Sequence, residues 1–309
     1  MMATTPITEN WGVIVTPEKN KQILELNHNE IIPLFEREGI VLFRDFDIDP
    51  HDILTFTNQF TERYSRPDYR RSSRFEQEFL LDADYWKDNY RSYNMPLHSE
   101  TTFTPVWPEV IWLYCNVPPV KEGATTVCDG MELWDRLSSE IKLFFLAEPV
   151  LYVVEIPIPE TIKGKGRGKK PWISDMLGVG GYLDWDADLL CLNVLRYAAN
   201  KARYSDKFCF ANHLLADLHD ELQIKEITMA SGKVISKKFI DEIKQVSDDI
   251  TVDHSWQQGD VVMVDNIRFM HGRRAFEKED PRDILTVQTA RASFGFCSDT
   301  RTIDSECPI

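Results

Sequence analysis

Trp256-Gln257-Gln258-Gly259-Asp260-Val261-Val262-Met263-Val264-Asp265-Asn266 reads as a glycine turn feeding a buried strand. Ile40-Val41-Leu42-Phe43 repeats the pattern of a short apolar run behind a glycine, Gly39. Val110 to Val117 is a clear strand ended by Pro118-Pro119. Gly123 opens another, Val150 to Ile156 is apolar and β-branched, and Ile284 to Phe294 alternates. Helical spacing predicts helices over Lys21–Glu38, with a break or restart at Pro33, and over His51–Tyr64, Met131–Ala147, Phe208–Leu222 and Lys237–Val246. No β-α-β alternation with a Gly-x-Gly-x-x-Gly turn appears, which argues against a dinucleotide fold. The pattern fits an α+β protein: a β-sandwich of the jelly-roll or cupin kind, a double-stranded β-helix, with flanking helices. No linker is visible. A single domain over 1–309 is expected, with a lid or insert at about 157–180, around the basic Lys163–Lys170, and a helical insert at about 200–250.

Five residues beyond Asn266 stands His271. Far upstream, Asn94-Met95-Pro96-Leu97-His98-Ser99-Glu100 places an imidazole and a carboxylate two residues apart, on one side of an extended segment. With His271 they would form a two-histidine, one-carboxylate face that leaves metal positions open to substrates, as in non-haem Fe(II) oxygenases. The triplet alone is not specific, because His28-Asn29-Glu30 and His219-Asp220-Glu221 repeat it. Those two lie in segments that read as helical, where residues i and i+2 diverge.

The 309 residues carry a formal net charge of −15, which argues against nucleic acid and anionic membranes as partners. No apolar run reaches the length of a membrane span, and the polar N-terminus lacks a signal pattern. The six cysteines contain no C-x-x-C pair and read as buried thiols in a reducing compartment. A cytoplasmic protein acting on a small molecule is expected, with homo-oligomerisation left open. From the residues alone, two other readings stand beside the oxygenase. One is a cupin-like metal protein of another class, a hydrolase or isomerase. The other is a non-catalytic binding sandwich.

Taken in order, Gly39-Ile-Val-Leu-Phe-Arg44, Leu97-His98-Ser99-Glu100, Gly123-Ala124-Thr125, Trp256 to Asp260, Asp265-Asn266, His271-Gly272-Arg273 and Arg282 resemble the TauD/TfdA (taurine dioxygenase-like) family of Fe(II)/2-oxoglutarate oxygenases. The chain looks closest to the clavaminate synthase-like branch, whose first ligand pair is His-x-Glu. The resemblance implies His98, Glu100 and His271 as catalytic iron ligands. It implies Arg282 and Thr125 as holders of 2-oxoglutarate, and O2 as the oxidant. It also implies oxidation of a C–H bond by hydroxylation, desaturation or cyclisation, with release of succinate and CO2. Asn94 falls where family members contact substrate. Thr286 stands where taurine dioxygenase has a second, sulfonate-binding arginine, which argues against a sulfonate. Tyr93, Arg74, Trp86 and Arg91 are candidates for the pocket or its cover. An amino acid or an amino-acid-derived precursor of secondary metabolism is the expected substrate.

Overall fold

The structure, a computed structural model, describes residues 2–18, 21–65, 93–158, 163, 165–173, 178–216 and 224–294. Arg74, Trp86, Arg91, His219 to Glu221, Cys297 and Cys307 lie outside the described residues. In chain order the elements are β1 (Ala3–Pro6), β2 (Val13–Thr16), a 3-10 turn (Ile23–Glu25), α1 (His28–Glu38), β3 (Ile40–Phe43), α2 (Asp52–Asn58), β4 (Thr61–Tyr64), β5 (Met95–His98), β6 (Val110–Val117) and β7 (Thr125–Asp129). Next come α3 (Gly130–Arg136), α4 (Ser139–Ala147), β8 (Val150–Pro157), β9 (Lys169–Ile173), β10 (Val179–Asp184), β11 (Leu189–Arg196), β12 (Ala199–Lys201), β13 (Phe208–Phe210) and β14 (Ile224–Met229). The last are α5 (Lys237–Ile250), β15 (Val252–His254), β16 (Val261–Asp265), β17 (Phe269–Arg273) and β18 (Asp283–Ala292).

The apolar runs pair with one another. A seven-stranded sheet has the order β1-β2-β3-β16-β6-β18-β4, and a four-stranded sheet the order β15-β7-β17-β5. Strand side chains alternate between faces, and here both faces of the central strands are covered. Ile40, Leu42, Ile111, Leu113, Val262 and Val264 point inward, where they meet Val127 and Phe269 of the smaller sheet. Val41, Phe43, Trp112, Tyr114, Val261 and Met263 point outward, under Phe35 of α1 and Ile53 and Phe56 of α2. A strand buried on both sides has no polar face to show, which is why these runs are continuously apolar. The outer face of the smaller sheet (Leu97, Cys128, Met270) packs on α3, α4, α5 and a five-stranded sheet, β14-β8-β11-β10-β9. The core is the jelly-roll sandwich expected from the sequence.

Several helical expectations are corrected. The Met131–Ala147 stretch is two helices, because Ser138 adopts an extended backbone and caps α4 by accepting from Ile141 N. The Lys21–Glu38 stretch breaks at Asn27, which caps α1, while Pro33 stays inside α1 on its exposed side. The helix over His51–Tyr64 stops at Asn58. Thr61–Tyr64 instead joins β18, with the Thr61 and Thr289 hydroxyls 2.7 Å apart. Phe208–Phe210 is a strand rather than the start of a helix. Asn212 then turns the chain: its Oδ1 accepts from Leu214 N at 3.0 Å and its Nδ2 donates to Ala198 O at 3.1 Å. His271 sits within its own strand, β17. Cys115, Cys128 and Cys209 are buried free thiols, and Cys191 is a half-buried one.

The end of β3 is tied to the start of β16 by one ion pair. Arg44 Nε and Nη2 donate to the two carboxylate oxygens of Asp260 at 2.9 and 2.5 Å. Asp260 is 1% exposed. Burial opposes its ionisation, but Arg44, His254 and the Gln257 N–H together hold its pKa below the ordinary 3.8. A depressed carboxylate pKa stabilises the fold above the unfolded value, and that stabilisation is lost as pH falls through the folded one. Asp260→Ala is therefore expected to cost about 3 kcal/mol near neutral pH. The gap to wild type, read by urea denaturation, should narrow below about pH 4.

Candidate active site

The two sheets leave a cleft at one mouth of the sandwich, and the inner-face alternation decides what lines it. His271 follows Phe269 by two residues on β17 and so faces the cleft. Its register partner on β5 is His98. Directly paired strand residues share a face, and the two imidazole centroids are 4.4 Å apart. On β18, Leu285 and Val287 pack on the outer core, so Ile284, Thr286 and Gln288 turn inward. Thr125 of β7 and the side chains of Arg282, Arg273, His213, Met95 and Phe103 complete the lining.

Glu100 lies beyond the end of β5, so strand alternation does not aim it. Asn266 does. Asn266 Oδ1 accepts from Glu100 N at 2.7 Å, and its Nδ2 donates to Glu100 O at 3.2 Å and Pro108 O at 2.9 Å. Ser99 Oγ donates to Asn266 O at 2.7 Å and accepts from Trp107 Nε1 at 2.8 Å. Ser99, Trp107 and Asn266 are all buried, and a fully bonded buried network of this kind rigidifies what it holds. Thr101, the next residue, is left-handed at φ 49°.

The result is a triangle. Glu100 Oε2 is 3.5 Å from His98 Nε2 and 3.5 Å from His271 Nε2. Among the described residues, these three form the cluster able to hold a metal ion. Ligands about 2.1 Å from an octahedral ion stand about 3 Å apart, so a small contraction would seat one. His98 Nδ1 donates to Pro96 O at 2.9 Å, which leaves the Nε2 lone pair for a metal. Burial opposes ionisation of Glu100, yet the His271 and His98 rings outweigh it and hold the carboxyl well below the usual range. Burial, then His98, lowers the pKa of His271 against the pull of Glu100. A neutral imidazole beside an ionised carboxylate is the protonation state that divalent metal ligation requires.

A second polar focus lies across the cleft. Arg282 Nε donates to Gly123 O at 2.9 Å, and its Nη2 lies 3.4 Å from Thr125 Oγ1. Trp256 Nε1 donates to the same hydroxyl at 3.0 Å. Burial, then Arg273, pushes the Arg282 pKa down to about 10. Among the described residues Arg282 meets no carboxylate in an ion pair.

The fold thus brings His98, Glu100, His271, Thr125, Arg282 and Thr286 to one cleft. Tyr93 and Asn94 are exposed at the start of β5 and do not line it. Sequence reasoning missed Gln288, whose Nε2 donates to Glu100 Oε1 at 3.1 Å. The signal was present, since Gln288 follows Thr286 by two residues on one strand. His213 was missed because Phe208–Leu222 read as a helix. Its ring stands edge-on to His98 at 5.1 Å and near Phe103 at 4.7 Å. Burial, then His98, pushes its pKa down to about 3.

Gly272 allows the two histidines to pair. A Cβ there would lie 2.5 Å from Met95 O and 2.7 Å from Thr126 Oγ1. Gly272→Ala must push β5 or β7 away, with an expected cost of about 1–3 kcal/mol. Denaturant unfolding measures that cost, and metal titration should show weaker binding alongside it.

Residues 3–288 match the family described as Taurine catabolism dioxygenase TauD, TfdA family. The chain belongs to this family. It is an Fe(II)- and 2-oxoglutarate-dependent dioxygenase that uses O2, and enzymes of the family act on small molecules. Over 277 residues this dioxygenase is 22% identical to the dapdiamide synthesis protein DdaC of Enterobacter agglomerans, covering 82% of this chain and 83% of that one. Over 300 residues it is 21% identical to a clavaminate synthase-like protein of Arabidopsis thaliana, covering 85% of each. Its fold is similar to that of AAD-2 in complex with Mn(II) and N-oxalylglycine, with a TM-score of 0.62, 16% identity and coverage of 94% and 97%. A taurine dioxygenase from Burkholderia xenovorans is similar too, with a TM-score of 0.59, 14% identity and coverage of 93% and 88%. No helix among the described residues is long and apolar enough to cross a membrane.

Proposed function

We propose that this dioxygenase oxidises a C–H bond of an amino acid or an amino-acid-derived precursor of secondary metabolism. In this reading His98, Glu100 and His271 hold the iron, and Arg282 with Thr125 holds the far carboxylate of 2-oxoglutarate. Bound Fe(II), with 2-oxoglutarate and O2, supplies the oxidising chemistry that yields succinate and CO2.

The residues supply everything else. Two imidazoles and one carboxylate would hold the metal and leave coordination positions for co-substrate and oxygen. Asn266 and the Pro96 carbonyl fix the ligands before any metal arrives. Arg282 offers a planar guanidinium for a two-point, charge-assisted grip on a carboxylate, which lysine cannot copy. The apolar walls, Leu113, Phe103 and Ile284, exclude water from the reacting centre.

The observation that carries the ligand assignment is the equal 3.5 Å separation of Glu100 Oε2 from both histidine Nε2 atoms. The substrate reading has different support. Thr286 lines the cleft where a sulfonate-binding arginine would stand, and Arg273 places a second guanidinium in the lining that an amino-acid carboxylate could meet. Similarity to a protein named for dapdiamide synthesis points the same way. Hydroxylation, desaturation and cyclisation all begin with the same hydrogen removal, and substrate pose separates them.

The test is a screen of free amino acids, their simple derivatives and taurine for stimulation of succinate release. An amino acid or derivative is expected to give the largest stimulation. Stimulation by taurine alone would refute the substrate class and leave the iron site standing.

A further inference from the structure

Glu100 is held at both of its ends. Asn266 fixes the backbone. Three side-chain torsions then separate that backbone from the carboxylate, so Asn266 alone cannot aim the oxygens. Oε2 is the atom that stands equidistant from the two imidazoles. Oε1 accepts from Gln288 Nε2 at 3.1 Å. Gln288 comes from the opposite sheet, on the inward face of β18 between the cleft and the outer core.

We propose that Gln288 is a positioning residue for Glu100. Its amide engages Oε1 and so presents Oε2 alone to the metal. The inference rests on the ligand set proposed above. Two consequences follow from the chemistry. A carboxylate with both oxygens free can turn to grip an ion through two points or swing away, and the amide bond removes both freedoms. The glutamate's length also acquires a reason. An aspartate at position 100 would end one methylene short of Gln288 and lose that bond. The His-x-Glu pair and Gln288 therefore form one unit that spans the two sheets.

Manganese is the probe, since Mn(II) binding can be followed by its electron-spin resonance without turnover. Gln288→Met keeps the volume and removes the donor. It is expected to raise the Mn(II) Kd by about 10-fold or more, within the range for loss of a hydrogen bond to a metal ligand. Glu100→Asp should also weaken binding. The double variant decides between a direct and a merely structural role, because directly coupled residues are not additive. If Gln288 acts through the carboxylate, adding Gln288→Met to Glu100→Asp should change the Kd by less than about twofold. Thermal unfolding of the metal-free proteins controls for misfolding, and Gln288→Ala serves as a second variant should Gln288→Met fold poorly. A Gln288→Met Kd within twofold of wild type, or effects that simply multiply in the double variant, would overturn the proposal. If His271→Ala leaves Mn(II) affinity unchanged, the ligand set itself falls. If His271→Ala abolishes binding while Gln288→Met is silent, only this inference falls.

Discussion

His271→Ala is expected to lower 2-oxoglutarate turnover by more than about 100-fold, beyond the loss typical of removing an outer hydrogen-bond partner. Two features place the effect at the metal rather than in the fold. The His271 backbone pairs with β5 and β7, and those ladder bonds do not need the imidazole. The side chain is buried, and its Nδ1 makes no hydrogen bond among the described residues; the polar contact that truncation removes is that of Nε2 with Glu100 Oε2, and Glu100 keeps His98 and Gln288. Succinate formation and O2 uptake measure the loss, and thermal unfolding of the metal-free protein should change little. Turnover within tenfold of wild type would remove His271 from the site.

Arg282→Leu should raise the KM for 2-oxoglutarate by about 30-fold or more, the range for truncating one partner of a buried charged pair. The reason lies in the protein without its co-substrate. Arg282 is a half-buried cation whose guanidinium pairs with no carboxylate among the described residues, and burial already lowers its pKa to about 10. A charge kept in that state is costly until an anion arrives. Replacing it by leucine should therefore leave the metal-free fold as stable as wild type, or more stable, while co-substrate binding collapses. Arg282→Lys should recover only part of the affinity, because an ammonium cannot make the planar two-point contact. KM from initial rates and melting temperature of the same samples test both halves. A lowered melting temperature with unchanged KM would assign Arg282 to structure alone.

The parts of this molecule legible in its sequence are those governed by burial. Ile40–Phe43, Val110–Cys115 and Val261–Val264 are apolar without interruption because both of their faces are covered, and each is a strand as read. His98 and His271 were legible as a pair only through the order of motifs around them. Their meeting depends on a register between β5 and β17 that no local pattern encodes. Glu100 was read as aimed by strand alternation, but the Asn266 clamp holds its backbone, across 166 positions of sequence. Three of the helical misreadings have a shared cause. Ser138, Asn27 and Asn212 each divert the backbone with one side-chain hydrogen bond, and apolar spacing carries no trace of such bonds. Gln288 escaped because an amide on a strand looks like any solvent-facing polar residue until the opposite sheet is in place.

Crystals grown with Mn(II) and N-oxalylglycine would test the central claim most directly. The expected result is one ion bound by Nε2 of His98, Nε2 of His271 and a single oxygen of Glu100, with the ligand's far carboxylate on Arg282. An ion seated elsewhere, or a ligand whose far carboxylate leaves Arg282 untouched, would contradict it.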